Sequence, residues 1–335
     1  MTSLASRMAD RFKIARSVAA QAKQEHVGGF ISDRLRIFRS VITRSPVVKR
    51  VTILDGLSQV VKWYRFQRVK ILKDATISEL DDSFLWVDVS PLYGLAWPRE
   101  GNLSRLGAGL VELWCPSNPH YYFIPFTRVK PGDVVVDVGC SEGAFALDCL
   151  KRFQASEVWC FEPSPRMAKG LRITAERNGL QDRMRVVDAA VSDTSGIVEF
   201  YENPADPLGG QATTLSHAPV PAGGDAIVSR VPQITLDDWA REHGIAKLDY
   251  LKIDAEGFDL AVLEGARETL QRWRPTIVVT TYHRSEHSEQ IYRYLESLDL
   301  GYRIKIKGIN VHKVSGETIE NRIPRPVMLH ATVRS

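Results

Sequence analysis

Five residues, Val134-Val-Val-Asp-Val138, run directly into Gly139-Cys-Ser-Glu-Gly143 and then into an amphipathic stretch from Ala144 to Phe153. A short, nearly continuous apolar run is what a strand buried on both faces of a parallel sheet presents. A glycine-bearing turn between such a strand and a helix lets a ligand approach the backbone N–H groups at the helix N-terminus. The turn holds two glycines rather than the three of G-x-G-x-x-G, so the close approach a pyrophosphate needs is missing. That spacing disfavours an NAD oxidoreductase. It suits S-adenosylmethionine, which offers a carboxylate, an amine and a ribose.

The following segments extend the pattern. Glu157–Phe161 reads as a second strand, with Glu162 at its C-terminal end. An acidic residue about 20 positions after the glycine turn can accept both ribose hydroxyls. The alternative is that Glu162 only caps the helix begun by Ser164-Pro165. Met184–Val187 reads as a third strand ending at Asp188, a residue placed to meet an adenine amine or simply to form a strand-end turn. Ile197–Tyr201 reads as an extra strand, and Asn203 to Gly224 as a long Pro- and Gly-rich loop.

The second half repeats the arrangement. Leu248–Asp254 is the expected fourth strand, and Ala255-Glu-Gly257 turns into a helix held by Leu260, Leu263, Ala266 and Leu270. Lys252, Asp254 and Glu256 are spaced by two and would share one side of extended chain. The C-terminal ends of central strands line the ligand crevice of a doubly wound sheet, which places Asp254 and Glu256 at the chemistry. The competing reading makes Asp254 a helix cap paired with Lys252. Thr276–Thr280 is the expected fifth strand, with His283 just beyond its end. Tyr302–Ile306 and Val327–Val333 supply two closing strands, expected as an antiparallel pair.

The N-terminal third differs electrically. Residues 1–73 carry 16 Lys or Arg against 4 Asp or Glu, a net +12, whereas the rest carries 28 against 36, a net −8. This divides the chain into a basic helical extension (1–73), an accessory segment (74–125) and a main domain (126–335). Leu4, Met8, Phe12, Ala15, Ala19 and Ala22 form a helical apolar stripe among basic residues. Such a stripe can dock on the main domain, mediate self-association or lie on an anionic membrane surface; nucleic acid is the least favoured partner. Cys115-Pro-Ser-Asn-Pro-His-Tyr-Tyr122 reads as a loop leading into the main domain. No run of about 18 apolar residues is present, nor the apolar centre of a secretory signal. Four cysteines without a C-x-x-C pair read as reduced thiols in a cytoplasmic setting.

Taken in order, the blocks PGDVVVDVGCSEGAFA, VWCFEPSPRMAKGLRITAERNGL, VVDAAVSDTSGIVEF, ITLDDWA, LDYLKIDAEGFDLAVLEGA and RPTIVV resemble the FkbM-type S-adenosylmethionine-dependent methyltransferases. The resemblance covers roughly Pro131 to Gly301, and K-I-D-x-E-G is its most distinctive block. It implies an α/β fold: a seven-stranded, doubly wound, Rossmann-like class I methyltransferase sheet. It also implies that Asp137, Gly139, Cys140, Ser141 and Gly143 flank the methionine end of the cofactor and that Glu162 holds its ribose. Asp254 and Glu256 would then border the transferred methyl group. Ser141-Glu142 departs from the family's usual Asn-Ile-like pair, and the strand after Pro275 ends in Thr-Thr-Tyr-His where acidic residues are common.

The expected reaction is O-methylation of a small molecule, saccharide or glycolipid, with Asp254, His283 and Glu256 as the catalytic candidates. A Mg²⁺ ion on Asp254, Glu256 and His283 is chemically admissible but not favoured. Amino-group transfer to nucleic acid wants a prolyl-aromatic loop after the fourth strand, where Asp254-Ala-Glu-Gly257 stands instead. A non-catalytic binding or assembly module is the remaining alternative.

Overall fold

A computed structural model describes residues 71–202, 213–215, 227–284, 286–310 and 325–333. Almost all of the basic extension and the Asn203–Gly224 loop, apart from Thr213–Leu215, lie outside the described residues. No helix among the described residues is long and apolar enough to cross a membrane.

The central layer is a seven-stranded sheet. Its parallel strands are β4 (Val134–Val138), β5 (Glu157–Phe161), β6 (Met184–Val187), β11 (Tyr250–Ile253) and β12 (Thr276–Thr280). The closing pair, β13 (Arg303–Asn310) and β14 (Arg325–Thr332), is antiparallel, giving the order β13-β14-β12-β11-β4-β5-β6. Residues alternate between the two faces as the strand period requires. Val135 and Val158 enter one apolar cluster, whereas Val136, Val138, Leu251 and Ile253 enter the other. The chain runs from β4 outward through β5 and β6 and returns to place β11 on the other side of β4, so a crevice opens at the C-terminal ends of these strands.

Seven helices flank this sheet among the described residues: α1 (Leu103–Trp114), α2 (Ala144–Leu147), α3 (Pro165–Arg177), α4 (Leu236–Glu242), α5 (Asp259–Glu264), α6 (Arg267–Trp273) and α7 (His287–Ser297). Ser164 caps α3 by accepting the Met167 N–H, with Pro165 at the first helical position. Thr235 caps α4 in the same way. The expected single helix from Gly257 is two, α5 and α6, divided at Gly265-Ala266. A Cβ at Gly265 would lie 2.1 Å from the Ser192 carbonyl oxygen, so the chain turns where another backbone passes. A smaller sheet, ordered β7 (Ala190–Val191), β10 (Ile227–Ile234), β8 (Gly196–Glu202) and β9 (Thr213–Leu215), contains the expected extra strand.

The accessory segment is a three-stranded antiparallel sheet, β1 (Thr76–Glu79), β2 (Phe84–Asp88) and β3 (Gly94–Pro98), followed by α1. It is fixed to the main domain by buried polar contacts. The Ala96 N–H donates to Thr174 Oγ1 at 2.9 Å. Asp148, fully buried in the wide turn that continues α2, accepts from Tyr93 (2.9 Å), Trp114 (3.0 Å) and Arg152 (2.9 Å). These bonds hold α1 as a roof over the crevice.

Candidate active site

A cavity of about 690 Å³ occupies the crevice, within the range of small-molecule sites. Its floor comes from the ends of β4, β5 and β11 and the loop after β12. Its roof includes Trp97 and, from α1, Arg105, Gly109 and Glu112.

The glycine turn is shaped by what lies under it. Gly139 has φ +72°, and a Cβ there would stand 2.0 Å from the Asp254 carbonyl oxygen. Only glycine allows the two strand ends to approach so closely. Asp137 does not face the cavity. It is fully buried and pairs with Lys252 at 2.9 Å, and Lys252 Nζ also donates to the Gly139 carbonyl at 2.6 Å. Burial pushes the Asp137 carboxyl up, and the ammonium opposes it. For Lys252, burial works against the charged form, but Asp137 and Asp254 outweigh it and raise its pKa. In place of the competing Lys252–Asp254 pairing, Lys252 and Asp137 form a clamp beneath the turn.

Glu162 stands at the end of β5, where it contacts both the glycine turn and the start of α3. Its oxygens accept the Ser141 N–H at 3.0 Å and the Ser164 N–H at 3.1 Å, so it ties the glycine turn to the start of α3. It also lines the cavity. A carboxylate has about four lone-pair sites, which leaves acceptor capacity after these two bonds. Burial pushes it up to about 7, against the lowering effect of the two N–H groups. Cys140 and Ser141 line the cavity as expected, with the Cys140 thiol donating to the Phe161 carbonyl at 3.1 Å. Glu142 lines it too, and burial raises its pKa. Gly143, at φ +84°, leads into α2. The structure does not bring Asp188 to this wall. Its side chain is 49% exposed and pairs with Arg172 at 2.6 Å, while Ala189, Ala190 and Val191 face the cavity.

The other expected residues do converge. β11 stops at Ile253, and Glu256 (φ +48°) and Gly257 (φ +101°) form a tight turn. The period-two side shared by Lys252, Asp254 and Glu256 therefore ends with the strand. The turn instead aims Asp254 and Glu256 at His283, whose Nε2 lies 3.5 Å from Asp254 Oδ1 and 3.4 Å from Glu256 Oε2. Asp254 is not the helix cap. Asp259 instead folds back onto the turn before α5, accepting the Ala255 N–H at 3.0 Å and the Gly257 N–H at 3.2 Å, and α5 has no side-chain cap. The Thr280 hydroxyl stands between Asp259 (2.8 Å) and Asp254 (3.1 Å) and donates to one at a time.

Asp259 also faces His283 Nδ1 at 3.1 Å. Burial alone would raise Asp259, but the charge and hydrogen bond of His283, with His287 and the Ala255 N–H, hold it well below the carboxylate range. Burial alone would lower His283; Asp259, then Glu256 and Asp254, outweigh it and raise its pKa to about 10. Glu256 opens onto the cavity, yet the enclosing walls desolvate it and push it up to about 7, with His283 opposing.

Three residues of this site carry no clear signal in the sequence. Tyr122 Oη donates to Asp254 Oδ2 at 2.7 Å. His120 stands 3.8 Å from the same oxygen, with its Nδ1 3.2 Å from Glu112. Both come from the Cys115–Tyr122 loop, whose proline content announces only a turn. Asp259 carries no local signal of its own.

The sequence profile described as "Methyltransferase FkbM domain" matches residues 137–304, half of the chain. The chain is 31% identical over 166 residues to the 2-O-methyltransferase NoeI of Sinorhizobium fredii, spanning 47% of this chain and 66% of that protein. It is 30% identical over 165 residues to the 31-O-demethyl-FK506 methyltransferase FkbM of Streptomyces tacrolimicus, spanning 42% and 62%. Both alignments leave more than a third of the relative's length unmatched. A solved structure of a methyltransferase FkbM from Methylobacillus flagellatus KT aligns with a TM-score of 0.42 at 18% identity, covering 68% of this chain and 54% of that one. The profile match takes in the glycine turn, Glu162 and the Asp254–His283 cluster, and by it the chain belongs to the FkbM methyltransferase domain family.

Proposed function

We propose that this protein is an S-adenosylmethionine-dependent O-methyltransferase acting on a hydroxyl of a small molecule or saccharide. The observation that carries this reading is a single cavity in which the Gly139–Gly143 turn and Glu162 face Asp254, Glu256 and His283.

The residues present fit the cofactor. Glu162 keeps free lone pairs at the end of β5, suited to a ribose. Phe161, Met167 and Ala189–Val191 give an apolar wall for a base. The turn offers N–H groups without the third glycine that a pyrophosphate requires. When bound, the cofactor supplies a methyl group already activated on a sulfonium.

The protein's own work is then positioning and proton handling. Ser141 and Glu142 border the methionine end. Lys252, anchored by Asp137, fixes the Gly139 carbonyl from below. Asp254, oriented by Tyr122 and Thr280, faces the acceptor hydroxyl together with Glu256, and these carboxylates receive its proton. Holding acceptor and donor in line is worth roughly 7–11 kcal/mol. A positioned base adds about 10²–10⁴-fold. The acceptor side is roofed by Trp97, Arg105 and Glu112. Hydroxyl acceptors are favoured because both relatives' names specify transfer to oxygen.

The four free cysteines support a reducing, cytoplasmic setting. The basic stripe in residues 1–73 supports peripheral membrane contact or self-association. Labelled methyl transfer from S-adenosylmethionine to saccharide and polyol extracts tests the activity. Asp254→Ala is expected to abolish transfer while cofactor binding persists; unchanged turnover in that variant overturns the assignment.

A further inference from the structure

Asp254, Glu256 and His283 bring one ligand atom each within 4.8 Å of one another. Acidic clusters are common, so the decisive feature is the imidazole. The His283 side chain is 93% buried, since only 7% of its surface is exposed, and its Nε2 makes no hydrogen bond. An unsatisfied buried nitrogen costs free energy unless something partners it. Its two oxygen neighbours lie at 3.4 and 3.5 Å, too far for good hydrogen bonds. Two atoms each about 2.1 Å from a shared cation and separated by that distance subtend roughly 110°, an ordinary ligand–metal–ligand angle.

The opposite ring nitrogen strengthens the case. Nδ1 faces Asp259, which is itself fixed by the Ala255 and Gly257 N–H groups. When a cation displaces the Nε2 proton that the surrounding carboxylates otherwise retain, His283 still donates Nδ1–H to Asp259, the arrangement found behind metal-bound histidines. Charge points the same way. Three carboxylates surround this one imidazole, and the ammonium of Lys252 is committed to Asp137 and the Gly139 carbonyl. The other close group, Asp137, Cys140 and Cys160, is unlike it. There every residue is buried, Asp137 is paired with Lys252, and the Cys140 thiol is bonded to Phe161.

We infer that Asp254, Glu256 and His283 form a binding site for a divalent cation, with Asp259 as the residue that positions the imidazole. Two carboxylate oxygens and one nitrogen suit Mn²⁺ or a similar borderline-hard ion, and the cavity-facing side remains for further ligands. Given the proposed O-methyl transfer, on which this part rests, an acceptor hydroxyl would complete the coordination. The ion would polarise it there, and its proton would pass to the Asp254 or Glu256 carboxylate oxygen left off the ion.

The test is a Mn²⁺ titration of the full chain followed by electron paramagnetic resonance of the free ion, with S-adenosylmethionine calorimetry in parallel. The expected result is one Mn²⁺ per chain, weakened at least tenfold by Glu256→Gln, which alters a cavity-facing side chain and preserves its size. Asp259→Asn is expected to weaken Mn²⁺ by about 10–100-fold without removing a ligand. Absence of bound Mn²⁺, or an affinity equal in the parent and in Glu256→Gln, overturns the site. Cofactor binding without Mn²⁺ binding removes the cation and leaves the methyltransferase reading intact. Mn²⁺ binding without cofactor binding supports the site and removes that reading.

Discussion

Tyr122 and Asp254, 132 positions apart in the chain, are joined by a hydrogen bond of 2.7 Å from the phenol to the carboxylate. The bond links the loop before the first core strand to the end of the fourth and fixes the carboxylate at the cavity floor. A hydrogen bond to a charged group contributes about 1.5–3 kcal/mol. Tyr122→Phe keeps the ring in place and removes only the donor. It is expected to slow methyl transfer by roughly ten- to a hundredfold with little change in cofactor affinity. Single-turnover rates beside calorimetry measure the split.

Glu162 gives the cofactor site a pH dependence. Burial raises its pKa from the ordinary 4.5 to about 7. The ribose needs a carboxylate acceptor, so S-adenosylmethionine affinity is expected to fall as pH drops through about 7. Glu162→Gln should bind more weakly and with a flatter profile. For the ligand-free fold the sign is opposite. A carboxyl whose folded pKa is raised binds more protons when folded than when unfolded. Its relative contribution to stability is therefore present below pH 4.5 and lost as pH rises through about 7. Thermal melts of parent and Glu162→Gln across pH 5–8 check this.

Lys252 and Asp137 form a buried pair, each no more than 5% exposed. Lys252→Met leaves the Asp137 carboxylate without its counter-charge and is expected to cost about 3–5 kcal/mol. The double variant Asp137→Leu/Lys252→Met should recover part of that loss. Denaturant unfolding of the three proteins measures the coupling.

At Gly139 the strain is steric. With φ +72° and the Asp254 carbonyl 2.0 Å from an added Cβ, Gly139→Ala forces β4 and β11 apart at their ends. A loss of more than about 4 kcal/mol is expected, the scale of a core overpacked against backbone. Circular-dichroism melting reads it directly.

What the sequence made legible follows from how local each signal is. The glycine turn, Glu162, the Asp254-Ala-Glu-Gly257 turn and the β12 strand each announce themselves within a few residues, and the sheet they build is the one expected. The antiparallel closing pair was legible from two apolar runs. Tyr122, His120 and Glu112 were not, because Tyr122 and His120 reach Asp254, and His120 reaches Glu112, only once α1 and its preceding sheet fold over the crevice. Asp259 was hidden for a different reason: an acid at a helix start reads the same whether or not it folds back onto the preceding turn and a histidine. The partner of Lys252 was not legible because alternation predicts a side of the strand, not which of two acids on neighbouring strands lies within reach. The helix after Gly257 was read as continuous because nothing local reveals that Ser192 passes against Gly265.

The central claim is most directly tested by calorimetric titration of S-adenosylmethionine into the parent protein, Glu162→Ala and Asp254→Asn, with NAD as the comparison ligand. One binding event in the parent, retained in Asp254→Asn, lost in Glu162→Ala and absent with NAD is the predicted result. No binding of S-adenosylmethionine to the parent, or equal binding to Glu162→Ala, would contradict the account.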